Sequence, residues 1–290
     1  MDDAPLLRLV GAAVDAVRDD LPCGLRGPYD DVARGVAARF LSVDAQPVVR
    51  LPRWLAPELA PDDEAGLVRG GVAGYLAFRV LDDWFDEDRG DPHTVAALSQ
   101  ALAVDHHTAV ARVAPDPAFL DLARRRWAEA VAALRDERAQ GPRAASAATF
   151  DRALDVSRAG GLPGAAALAS VGRWRAWPVA ERILDGFLVG HQLLEDLYDA
   201  PVDWRHGRRT WAASRAHSGP VDALEWRAGL GWLAVHDEAV QALQRAREAA
   251  LDAGLGAWAA ALDARAEDAL ARRDALAGGL GRTILGPPRP

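Results

Sequence analysis

The sequence predicts an all-α fold from three observations. Ala, Leu, Arg and Glu mix over long stretches, with apolar residues three and four apart, the spacing of a helical face. β-Branched runs that alternate with period two are nearly absent. Turn chemistry separates the periodic stretches, so each break has a physical cause.

In chain order, a helix over 3–19 ends at Leu21-Pro22-Cys23-Gly24 and Gly27-Pro28. A second over 29–41 leads into an irregular connection marked by Pro47, Pro52 and Pro61. A long helix over 63–87 stops at Gly90-Asp91-Pro92, and helices over 93–113 and 117–138 follow, the latter closed by Gly141-Pro142. A helix over 143–159 meets the interruption Gly160-Gly161-Leu162-Pro163-Gly164. Trp177-Pro178 opens the next, over 178–199, and helices over 220–249 and 252–277 complete the set. The Pro-rich end, 286–290, is expected to be disordered. No break resembles an interdomain linker and no fixed-period repeat is visible, so residues 1–285 are expected to form one helical domain.

Composition narrows the function. The 290 residues are 50% hydrophobic and 26% charged, the balance of a globular chain. The net charge of −8 argues against a whole-surface footprint for nucleic acid. The single cysteine, Cys23, excludes an intrachain disulfide framework and a Cys-based zinc cluster. No run of about 20 apolar residues predicts a transmembrane helix. The Met-Asp-Asp start lacks the basic and apolar regions of a secretory signal, so the expected location is cytoplasmic. Ten Trp against six Phe and three Tyr is an unusual aromatic balance.

Two acidic clusters carry the chemistry. Asp82, Asp83 and Asp86 form Asp-Asp-x-x-Asp at the end of a helix whose preceding residues, Gly70 to Leu81, contain no acid. Like charges one turn apart repel, so a helix gains nothing from them unless something binds there. Carboxylates on one face suit hard divalent cations such as Mg²⁺; the plainer alternative is a solvated helix end. Gln192, Glu195, Asp196 and Asp199 fall at i, i+3, i+4 and i+7, again one face following a mostly apolar segment. Asp203, Arg205, His206, Gly207, Arg208, Arg209 and Thr210 follow and read as a loop that places cations beside the acids. Acids to hold metals and Arg to contact outer oxygens suit a metal-bound polyanion. Asp83 and Asp196 are 113 residues apart, and two facing helices of this kind are expected to form the mouth of one cavity.

The pair resembles the motifs of class I isoprenoid synthases, and most closely the trans-polyprenyl synthase branch. The resemblance rests on Asp82-Asp83-Trp84-Phe85-Asp86 and Glu195-Asp196-Leu197-Tyr198-Asp199, with Gln192 matching a family glutamine. Gly207-Arg208-Arg209-Thr210 resembles a basic family segment, and Arg158 falls where the family places a phosphate-binding lysine. The resemblance implies a helical bundle around a central cavity. It implies three Mg²⁺ ions, with Mn²⁺ as a substitute, held by Asp82, Asp83, Asp86, Gln192, Glu195, Asp196 and Asp199. Asp82, Asp83, Asp86 and Asp196 are the implied catalytic carboxylates, and Arg89, Arg158, Arg208 and Arg209 the implied diphosphate contacts. The implied substrate is an allylic prenyl diphosphate of fifteen or twenty carbons, ionised to a carbocation. Homodimers are common in the family, although no seam is legible here.

The chain departs from a chain-elongating enzyme where a second diphosphate would bind. Around Pro22 to Pro28 only Arg26 remains as a cation, Tyr75 stands where the family has His or Gln, and only Arg89 follows the first motif. A second diphosphate needs several donors to offset its charge. The reaction expected is therefore terpene synthesis (a lyase), with a prenyl diphosphate synthase (a transferase) as the alternative. A non-catalytic subunit of the same fold and an unrelated helical scaffold are the other readings. The cavity-wall candidates are Tyr75, Arg79, Phe78, Trp84, Phe85, Trp174, Trp177 and Trp204, because aromatic faces attract cations. Tyr75, Arg79 and Asp83, four apart, should share a helical face.

Overall fold

A computed structural model describes residues 4–35, 40, 46–87, 90–140, 145–205, 209–216 and 230–285, without the side chains of 46, 86–87, 137–140, 230, 276 and 278–285. The described residues form helices and no strand. In order they are α1 (Ala4–Asp20), α2 (Cys23–Ala33), α3 (Gln46–Leu55), α4 (Pro61–Glu87), α5 (Pro92–Val113), α6 (Pro117–Gln140), α7 (Ala147–Ala159) and α8 (Leu162–Ser170). A 3₁₀ turn at Trp174–Ala176 leads to α9 (Trp177–Arg205), α10 (Trp211–Ala216), α11 (Leu230–Asp252) and α12 (Gly256–Leu285). The chain divides into two compact units, Met1–Leu134 with Asp155–Glu181, and Arg135–Leu154 with Arg182–Pro290.

In the first unit α4 is the central element, packed by α1, α3, α5 and α8. Its seam with α5 runs along Gly66, Gly70 and Gly74, one glycine per turn. A Cβ at Gly70 would come within 3.2 Å of Ala109 and Val110, and one at Gly74 within 2.7 Å of the His106 Nδ1. His106 fills the room that Gly74 leaves. Its Nδ1 lies 2.7 Å from the Gly70 carbonyl oxygen, which can only accept, so the proton is on Nδ1. The ring stacks on Trp127 at 4.9 Å, and Trp127 also meets Phe78 at 4.5 Å and His107 at 4.7 Å. Arg69 spans Asp20 at the end of α1 and Asp105 on α5, 2.6 and 2.5 Å away, and so ties three helices together. Asp91 caps α5 by accepting from the Thr94 amide at 2.8 Å.

In the second unit α9 crosses α11 closely. A Cβ at Gly186 would meet that of Ala246 at 3.1 Å, and one at Gly190 would lie 2.8 Å from both the Ala239 carbonyl and Leu243. α11 and α12 form a helical hairpin. Leu255 donates to the Ala250 carbonyl and Gly254 to Leu251, with Gly254 at φ +72°, the paired bonds of a left-handed glycine stop. Arg273 with Asp237, and Arg247 with Asp263, clasp the same two helices.

Several expected boundaries differ. α2 starts at Cys23 and runs through Pro28, ending at Ala33 rather than beginning at 29. The exposed Gly24 carbonyl, four residues before Pro28, can turn to water for its missing partner. α3 occupies the stretch read as irregular, and α8 begins inside the stretch read as an interruption. Pro163 stands in the first turn of α8, where no backbone donor is needed. α9 continues past Asp199 through Pro201 to Arg205, so Asp203 and Arg205 are helical, not loop residues. The expected tail, 286–290, and much of the expected 220–249 start lie outside the described residues.

Candidate functional site

The first acidic cluster ends α4 after a run of buried residues that includes Val72, Ala73, Leu76 and Ala77. Tyr75, Arg79, Asp82 and Asp83 are each only half-buried, consistent with one shared stripe along the helix. Arg79 reaches one turn onward, with Nη2 2.6 Å from Asp83 Oδ1 and Nη1 3.6 Å from Asp82 Oδ2. The two carboxylates therefore converge on one guanidinium, whose charge offsets their mutual repulsion. The Asp86 side chain and all of Arg89 lie outside the described residues.

Each aromatic candidate of this unit is buried or makes an aromatic or core contact. Tyr75 meets Phe40 edge-on at 4.9 Å, and Phe78 packs with Ala130, Leu134 and Ala159. Trp84 and Phe85 lie 5.0 Å apart, centroid to centroid, and pack against separate core clusters. Trp174 approaches Phe119 at 6.3 Å, and Trp177 is buried. Arg158, in the last turn of α7, pairs with Asp155 at 2.7 Å.

The second acidic cluster lies on α9 in the other unit. Gln192 Nε2 donates to Asp196 Oδ1 at 2.8 Å across one turn. Asp196 is 6% exposed, a carboxylate held almost out of water, whereas Asp199 is exposed and Glu195 intermediate. Burial of a carboxylate is costly unless it is partnered, and Gln192 supplies one donor. Further along, Arg209 lies over the Trp204 ring at 4.3 Å, and its carbonyl accepts from the Ala145 amide at 3.1 Å. His206, Gly207 and Arg208 lie outside the described residues.

Around the axis of α9 from the acids runs a second stripe, Phe187, His191 and Tyr198, and it carries polar contacts that the sequence did not disclose. Phe187 stacks on His191 at 5.6 Å, and His191 Nδ1 lies 3.4 Å from Arg265 Nη2. The Tyr198 hydroxyl lies 3.1 Å from His236 Nε2, and Arg272 sits 5.6 Å over the Tyr198 ring. Arg265 and His236 are both buried, at 5% and 0% exposure. Burial holds His236 neutral, its pKa lowered to about 4. In the first unit, Arg50 on α3 is another buried cation that the sequence reading passed over. Arg50 is flanked by apolar residues, but His236 adjoins Asp237 and Glu238 and Arg265 lies between Asp263 and Glu267, so local sequence does not mark the last two as buried.

Among the described residues no group of three or more His, Cys, Asp or Glu side chains gathers closely enough to hold a metal ion. Mg²⁺ takes oxygen donors and is commonly held by one or two carboxylates, with waters and substrate phosphate completing its shell, so the paired Asp82 and Asp83 and the Gln192–Asp196 pair fit it in kind. Compared with protein-family models, with curated proteins and with solved structures, the chain matches none. No helix among the described residues is long and apolar enough to cross a membrane.

Proposed function

We propose that the protein is a Mg²⁺-dependent class I terpene synthase, which ionises one allylic prenyl diphosphate and does not extend it. The observation that carries this reading is the motif pair: Asp82-Asp83-x-x-Asp86 and Gln192-x-x-Glu195-Asp196-x-x-Asp199, each ending a largely apolar stretch of an all-helical chain. The near-complete burial of Asp196 beside Gln192 supports it, since a surface carboxylate with no task has no reason to leave water. In this reading the carboxylates of each motif bind Mg²⁺, and Arg158, Arg208 and Arg209 contact the diphosphate. Bound Mg²⁺ supplies Lewis-acid stabilisation of the leaving diphosphate. The allylic C–O bond breaks, its electron pair departs with diphosphate, and the cation is cyclised or quenched by loss of a proton or addition of water. Neighbouring aromatic faces stabilise that cation, and apolar side chains keep stray water from it.

One feature favours a second reading, a prenyl diphosphate synthase. The Asp-rich second motif, Glu195 to Asp199, resembles the elongase form of the metal-binding segment, with Glu195 in place of the usual first Asp. The loss of cations around Arg26 and the presence of Tyr75 weigh more, because a second diphosphate cannot be buried without cationic partners. The deciding experiment incubates the protein with Mg²⁺ and geranyl, farnesyl or geranylgeranyl diphosphate, with and without isopentenyl diphosphate. A hydrocarbon or terpene alcohol without the second substrate supports the synthase. A lengthened diphosphate, formed only with it, establishes the elongase. No turnover and no metal binding favours a non-catalytic protein.

A further inference from the structure

The acidic stripe of α9 and its polar anchoring stripe are separate faces of one helix. At 100° per residue, Gln192, Glu195, Asp196 and Asp199 centre on one direction, and Phe187, His191 and Tyr198 on another about 110° away. The anchoring stripe is held at two points seven residues apart, His191 against Arg265 on α12 and Tyr198 against His236 on α11. Gly186 and Gly190 close a third face against α11. Apolar side chains could fill the same volume, but their contacts carry no preferred direction. The hydrogen bond between the Tyr198 hydroxyl and the buried His236 ring does, and so adds an angular constraint to the close packing at Gly186 and Gly190.

We propose that His236, acting through Tyr198, is a positioning residue for the carboxylate face of α9. This rests on the reading that the face binds Mg²⁺ and diphosphate. The lever is geometric. Carboxylates stand about 5 Å from a helix axis, so a 20° turn of α9 displaces them by roughly 2 Å. Productive sites tolerate only about 0.5 Å. Tyr198 lies between Asp196 and Asp199 in sequence, so fixing its hydroxyl fixes the turn that carries both. His236 is suited to the role. It is fully buried, neutral, and beside the buried Trp232 ring at 4.8 Å, which limits its own freedom.

The test is calorimetric titration of the full chain with inorganic diphosphate in saturating Mg²⁺. Asp196→Asn, which alters the binding face itself, should lose binding. Tyr198→Phe and His236→Leu should each weaken binding tenfold or more, and the double variant should be no worse than either alone. His236→Gln, whose amide reaches the position of the imidazole Nε2, should restore affinity to within about threefold of wild type, a rescue that mere packing would not give. If His236→Leu does not fold, Tyr198→Phe, which removes one oxygen, carries the same test. Wild-type affinity in Tyr198→Phe, alongside loss in Asp196→Asn, overturns the positioning role and leaves the binding face standing. Failure of the wild type to bind, or full binding by Asp196→Asn, removes the binding face and the positioning role together.

Discussion

Arg79 Nη2 lies 2.6 Å from Asp83 Oδ1, one turn back along α4, and the same guanidinium lies 3.6 Å from Asp82. A cation thus already occupies the electrostatic position that a metal would take. Asp83→Ala should abolish turnover of a prenyl diphosphate while costing less than about 1 kcal/mol of stability, because the pair remains partly solvated. Unchanged kinetics at saturating Mg²⁺ would remove Asp83 from the site. Arg79→Gln takes away the competing charge, and Mg²⁺ alone should then bind about threefold tighter by titration calorimetry. Weaker binding would mean that Arg79 organises the acids rather than competing for them.

Close helix approach makes a second set of expectations. The Cβ added by Gly190→Ala would lie 2.8 Å from the Ala239 carbonyl, which is backbone and cannot swing aside. In Gly74→Ala it would lie 2.7 Å from His106, which is pinned to the Gly70 carbonyl and stacked on Trp127. Each should destabilise by about 1–3 kcal/mol despite the better helix propensity of Ala. Gly11, in α1, has nothing within 4 Å of a would-be Cβ, so Gly11→Ala should stabilise by about 0.5–1 kcal/mol. Urea unfolding of the three variants checks the contrast. A stabilising Gly190→Ala would contradict the packing described for α9 and α11.

The helical class and the long helices were legible because their periodicity is strong and their stops carry Gly and Pro. α3 and α8 were not, for a physical reason. Pro52 lies within α3 and Pro163 in the first turn of α8, and proline signals a helix start as readily as a break. α9 likewise runs through Pro201 and ends at Arg205, beyond the expected end at 199. The i, i+3, i+4, i+7 spacing put Gln192 and Asp196 on one face, and the four-residue spacing did the same for Arg79 and Asp83; that each pair is in direct contact came from the structure. The partners of His191 and Tyr198 come from α12 and α11 respectively, 74 and 38 positions away in sequence, and local periodicity carries no information about them.

Arg158 and Arg209 stand in different settings and should behave differently. Arg158 is 15% exposed and paired to Asp155, so binding an anion requires that pair to be shared or broken. Arg209 is exposed and lies over Trp204, which leaves its charge open to water. Arg209→Gln should weaken Mg²⁺-dependent diphosphate binding about three- to tenfold without moving the unfolding midpoint. Arg158→Gln should weaken binding and also lower the midpoint, because Asp155 then loses its partner. Unchanged affinity in both variants would exclude them as diphosphate contacts.

Two buried imidazoles predict the response to acid. Burial lowers the pKa of His106 from 6.5 to about 4, against a smaller raising effect from its bond to Gly70. Burial likewise lowers His236 to about 4. In both, the unfolded chain binds the proton more readily than the folded one, so stability rises with pH between those values. The penalty is absent above about pH 6.5, grows as pH falls, and is complete below about 4, reaching up to about 3 kcal/mol for each ring. His106 cannot relieve it by turning, because protonated Nε2 would need an acceptor and has no hydrogen-bond partner in its place beside Trp127. Urea unfolding at pH 7.5, 6.5, 5.5 and 4.5 should show the loss. His106→Asn keeps a donor for the Gly70 carbonyl but does not titrate, so its stability should fall less steeply than that of the wild type over the same range. Parallel slopes for the two proteins would show that His106 is not the group that acid charges.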